Sequence, residues 1–123
     1  MAGEITISLS VVGSKAGATA SVTASNVVDM TLAGVDISSQ THTVTSVTGI
    51  IPVGAVALGG VMVIKNMSTT VSIYVNNGGA ALVTSPILVK FGETAIFRTT
   101  VGSLYHAITA SGTALIQVVC FED

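Results

Sequence analysis

Residues 104–121, LYHAITASGTALIQVVCF, decide how the rest of the chain reads. Leu104 to Thr109 and Ala114 to Phe121 are short runs carrying Ile, Val and Thr, and Ser111-Gly112 between them marks a tight reversal. His106 alternates with Leu104 and Ile108, a period of two. The stretch therefore reads as strand, turn, strand.

Moving upstream, the same grammar recurs. Val61 to Asn66, Val71 to Val75, Ile87 to Phe91 and Thr94 to Thr99 are further short β runs. Asn76-Asn77-Gly78-Gly79 supplies residues that accept positive φ. Ser85-Pro86 starts a strand without needing a ladder donor, and Gly92-Glu93 punctuates another reversal. Thr41 to Val47 has Thr on both faces, but its five β-branched residues in seven favour an extended chain. Near the start, Ile5, Ile7, Leu9 and Val11 alternate with Thr6, Ser8 and Ser10, the pattern of a half-buried strand. Gly13 to Gly17 reads as a turn, followed by strands over Ala18 to Ala24 and Val27 to Leu32. No window of ten or more residues carries a helical stripe. So many short strands in so small a chain must pack as two sheets or close as a barrel. The expectation is an all-β chain: an antiparallel β-sandwich, jelly-roll-like, forming a single domain over residues 1–123, with no repeat or linker.

Ile50 to Ile64, IIPVGAVALGGVMVI, is uncharged and would attract a hydropathy scan. It is shorter than the roughly 20 residues of a spanning helix and contains Pro52, Gly54, Gly59 and Gly60. Two strands with a turn between them describe it better, and no membrane association is expected.

Composition bears on function. Charged residues are 8% of the 123, against about 25% in an ordinary soluble domain, while half the chain is apolar and aromatics are 4%. A domain this size still exposes much of its surface, so Ser, Thr, Asn, Gly, Ala and Val must cover it. Such a surface offers little repulsion between copies and suits a protein buried against neighbours. The four basic residues, Lys15, Lys65, Lys90 and Arg98, are scattered, so the clustered cations that displace counterions from phosphates are missing and nucleic acid is not an expected partner. The lone Cys120, among Val118, Val119 and Phe121, reads as a buried thiol. MAGEITISLS carries an acid where an export signal is basic, and no signal peptide is expected.

Catalytic chemistry is thinly supplied. His42 and His106 are the only imidazoles, each placed in a strand as a structural residue, and no spacing suggests a metal site. Glu4, Asp29, Asp36 and Glu93 lie far apart in sequence. Gly13-Ser14-Lys15 lacks the earlier glycine of a phosphate loop. Asn66-Met67-Ser68 has the form of a glycosylation acceptor but fits a strand-end turn. Glu93 and Arg98 read as solvated, and Tyr74 and Tyr105 as half-buried sheet tyrosines whose polar tips would also suit an interface. No catalytic, cofactor-binding or metal residue is assigned, and no enzyme activity is expected.

The order of elements from Val61 to Asp123 resembles a pattern among small virion proteins of tailed bacteriophages. It runs from VMVIKN (61–66) through SIYVNNGG (72–79) to ILVKFGETAIFRT (87–99), and closes on LYHAITASGTALIQVVCFED (104–123). The first sixty residues carry no comparable likeness. The resemblance implies a β-sandwich structural protein of capsid or tail, of the decoration (cement) or accessory type, and supplies no catalytic residues. It implies the major capsid protein or other virion proteins as partners, a homo-oligomer with a trimer favoured, manufacture in the host cytoplasm and residence in the virion. The alternative is a tail or fibre accessory protein binding a host receptor or carbohydrate, which the absence of Trp and the presence of only two Tyr disfavour.

Overall fold

The computed structural model describes residues 3–15, 18–30, 37–54, 56, 60–99 and 104–122. Among these there are ten strands and no helix. The chain divides into two compact units, Met1–Ala33 and Gly34–Asp123.

The first unit is an antiparallel ribbon of β1 (Gly3–Lys15) and β2 (Ala18–Met30). Its register runs without a break from Gly3↔Met30 to Lys15↔Ala18. The expected turn at Gly13 to Gly17 is thus corrected for its first three residues, which pair with Ala20, Thr19 and Ala18. Gly13 and Ser14 can adopt extended backbone, and ladder bonds outweigh their weak turn preference. The two expected strands between Ala18 and Leu32 are one continuous β2 as far as Met30. Ser25 and Asn26, at the expected break between them, pair with Ser8 and Ile7.

The second unit holds two four-stranded antiparallel sheets. One has the order β3-β10-β5-β8, from β3 (Ile37–Val44), β10 (Ala114–Glu122), β5 (Gly60–Asn66) and β8 (Thr94–Arg98). The other has the order β4-β9-β6-β7, from β4 (Gly49–Ile50), β9 (Tyr105–Thr109), β6 (Ile73–Asn77) and β7 (Ile87–Val89). Consecutive strands β3 and β4, β5 and β6, and β8 and β9 sit in different sheets, so the chain passes repeatedly between the two layers.

Alternation explains which faces meet, because successive side chains in a strand point to opposite sides. Ile116, Val118 and Cys120 of β10, Met62 and Ile64 of β5, and Val44 of β3 are buried on one face of the first sheet. Ile73 and Val75 of β6, Val89 of β7, and Tyr105 and Ala107 of β9 are buried on one face of the second, and all belong to a single apolar cluster. Phe97 packs against that cluster, its ring 5.2 Å from that of Tyr105. Ile51 and Val56, from the segment the hydropathy scan would flag, are also in the core. Of that segment's described residues, Ile50 belongs to β4, 60–64 belong to β5, and a turn falls at Gly54 (φ 62°). Among the described residues no helix is long and apolar enough to cross a membrane.

Asn66 joins the layers. At the end of β5 it is fully buried, and its Nδ2 donates to the carbonyl oxygens of Val71 (2.9 Å) and Val89 (3.1 Å). Its Oδ1 accepts from the Ser68 amide (3.0 Å). A buried amide with these bonds satisfies backbone groups that the strand ladders leave over.

Candidate functional site

The residues weighed as chemistry do not converge. His42, on β3, is half-buried opposite Ile116. His106, on β9, lies opposite Ile50 and Asn76, and its Nδ1 is a buried atom without a hydrogen-bond partner. Among the described residues no three of His, Cys, Asp and Glu are grouped as metal ligands. Glu93 Oε2 accepts from the Lys90 amide (3.1 Å), holding a turn. Gly13-Ser14-Lys15 is strand, not a phosphate-binding loop. Asn66 is wholly enclosed, so the glycosylation-like triplet presents no acceptor at the surface. Cys120 is buried, and loss of hydration pushes its thiol pKa up. Tyr105 belongs to the core, whereas Tyr74 is half-buried on the other side of its sheet. Asp36 lies outside the described residues.

One juxtaposition escaped the sequence reading. The ribbon register sets Glu4 directly opposite Asp29, although 24 positions separate them. Only strand pairing could reveal it, and two acids side by side are not in themselves a site.

An open depression of about 220 Å³ is lined by His42, Thr43, Thr45, Val47, Thr48 and neighbouring residues. It brings hydroxyls and one imidazole together without a carboxylate or thiol. A second, of about 160 Å³, is bordered by Thr70, Ser72, Tyr74 and Ser111 among others. Neither offers a nucleophile held by a base.

What the fold does assemble is a pair of broad faces with few charges. On the side of the first sheet turned away from the core, the ladders align Ser39, Val119, Val63 and Ile96 in one row. The next row is Ile37, Phe121, Val61 and Arg98, and a third is Thr41, Gln117, Lys65 and Thr94. Ile37 is 67% exposed and Ile96 45%, while Val63, Val119 and Phe121 are half-buried and Val61 is buried. The three rows carry two cations and no acid. On the second sheet the corresponding rows are Ile50, His106, Asn76 and Ile108, Tyr74, Leu88, which contain no Asp, Glu, Lys or Arg. Exposed Leu82 and Val83 add apolar area in the loop between β6 and β7. The Ala81 amide ties that loop to Thr48 Oγ1 (2.8 Å).

No family model, no curated protein and no solved structure matches this chain.

Proposed function

We propose that this chain is a non-enzymatic structural protein of a virus particle, a jelly-roll-like β-sandwich that decorates and stabilises the capsid of a tailed bacteriophage. The observation carrying this reading is the run of charge-poor, partly apolar rows on the outward sides of both sheets. Exposed aliphatic area of this kind costs free energy in water and is recovered by burial against another protein. The strand order supports the same class. Counting only the strands of the second unit, the sheets run 1-8-3-6 and 2-7-4-5, the order of two nested Greek keys, an architecture common in viral coat domains.

Such a protein acts by affinity. Each copy contributes modest area across a boundary between shell subunits, and the lattice multiplies that contribution over many copies. The partners are the major capsid protein and further copies of this chain. The test is co-sedimentation with purified phage shells, together with the loss of shell integrity on heating. Binding with a raised shell-disruption temperature is expected. A chain that neither binds shells or tails nor changes their stability would refute the reading.

A further inference from the structure

The two sheets of the second unit have four edges, and three are defended. β4 is two residues long and is followed by Pro52. β7 is three residues long, between Pro86 and Lys90. β8 is five residues long, with Glu93 before it and Arg98 at its end. Short edges, prolines and charges are the devices that stop a sheet from pairing with another chain. β3 is longer than any of these and carries none of these devices within the strand itself. It runs for eight residues, ISSQTHTV, with β10 as its one ladder neighbour among the described residues and no Pro, Asp, Glu, Lys or Arg within it, Asp36 lying directly before it. The uncharged stretch continues past it to Ile51. Every second residue of β3 directs its N–H and C=O away from β10, so the strand presents a row of backbone donors and acceptors.

We propose that the β3 edge is a strand-pairing surface whose partner is the β3 edge of a second copy, joined antiparallel across a twofold axis into one eight-stranded sheet. The inference rests on the assembly reading above and names the first contact made in it. An isologous edge contact is a twofold, so it replaces the threefold that the resemblance favours.

Self-pairing follows from the residues. With the axis perpendicular to the sheet, inner faces stay on one side only if the centre falls on a residue, and centring on Gln40 or Thr41 keeps all but one of the strand's residues paired. In the first register Ser39 faces Thr41 of the other copy. In the second Thr41 faces its own counterpart and Ser39 faces Thr43. Ser39, Thr41 and Thr43 are exposed on the outward side, and Thr–Thr and Thr–Ser neighbours across strands are favourable. No like charges meet in either register. In the first register the outward row Ser39, Val119, Val63, Ile96 of each copy would meet the row Thr41, Gln117, Lys65, Thr94 of the other, so that the two outward faces join into one surface.

Light scattering on the full chain across micromolar concentrations should give twice the chain mass. The double substitution Ser39→Lys, Thr41→Lys brings lysines face to face in both registers and should weaken the dimer about a hundredfold, leaving the circular dichroism spectrum unchanged. Mixing it with Ser39→Glu, Thr41→Glu should restore the dimer. The matched pair Ser8→Lys, Ser10→Lys, at exposed ribbon positions, should leave it intact. A monomeric or trimeric wild type, a dimer indifferent to lysine at 39 and 41, or one broken instead by lysine at 8 and 10 would each overturn the inference. A chain that binds shells while its oligomer ignores the β3 lysines sinks the edge contact and spares the proposed function. Dimerisation through β3 without shell binding does the reverse.

Discussion

The ribbon and the two-sheet unit use the same alternating sequence grammar to different ends. β1 and β2 are thirteen residues each, the longest strands described, yet each has one ladder neighbour. β6 and β9 are five residues each, but they lie mid-sheet and contribute Ile73, Val75, Tyr105 and Ala107 to a core shared with the other layer. Strand length therefore does not decide which strands supply the core of the two-sheet unit. Position between two layers does, and burial there matters because apolar area removed from water supplies most of the free energy of folding.

That contrast can be broken most directly by truncating one side chain on each side of it. Ile116→Ala, at a position with no exposure, should destabilise the two-sheet unit by about 2–5 kcal/mol in denaturant titrations. Val12→Ala, 76% exposed in the ribbon, should change stability by no more than about 0.5 kcal/mol. Equal effects would mean that Val12 is held by a core as firmly as Ile116.

Asn66→Ala probes the tie between the layers. It leaves the Val71 and Val89 carbonyls and the Ser68 amide without their partner, and a loss of about 3 kcal/mol is expected. Asn66→Asp should not rescue it, because a carboxylate cannot donate to two carbonyls.

Cys120 sharpens the comparison through pH. Its folded pKa is raised by burial above the ordinary 9.0, so the neutral thiol is favoured in the native state. Below that value the group is protonated in both states and contributes nothing pH-dependent. Above it the unfolded chain releases the proton first, and stability should fall as pH rises through the folded value. Native Cys120 should accordingly react slowly with a thiol reagent and quickly once unfolded. Rapid native labelling would place β10 the other way round.

The smallest effect is expected in the ribbon, where Glu4 opposes Asp29. Like charges directly across a ladder are unfavourable, so Glu4→Lys should strengthen the pairing by about 0.2–1 kcal/mol. Slower amide exchange in β1 and β2 would show it, with no change in the two-sheet unit.

Much of this was legible in the residues. Period-two alternation marked Ile5 to Val11 and the strands between Val61 and Phe121. Gly78, Gly92 and Gly112, all at positive φ, fell where reversals were read. Strand boundaries are less legible in the residues. Thr41 to Val47 became Ile37–Val44, because pairing with Val118, Val119, Cys120 and Phe121 of β10 recruits Gln40, Ser39, Ser38 and Ile37, a stretch without strand alternation of its own. The candidate surface was foreshadowed only as a shortage of charge.

The sequence by itself determined the extended character of the chain, the places where it turns and the poverty of its surface charge. All three depend on a residue and its near neighbours. Only the tertiary structure decided that Val63, Ile96, Val119 and Phe121 share one face, that Asn66 links two layers, and that β3 is the longest edge of the two-sheet unit. Those facts depend on which strands lie side by side, and lateral order is set by the joint packing of residues as distant as Val44 and Ile116. Alternation assigns each side chain to one of two sides but carries no information about its neighbour across the ladder.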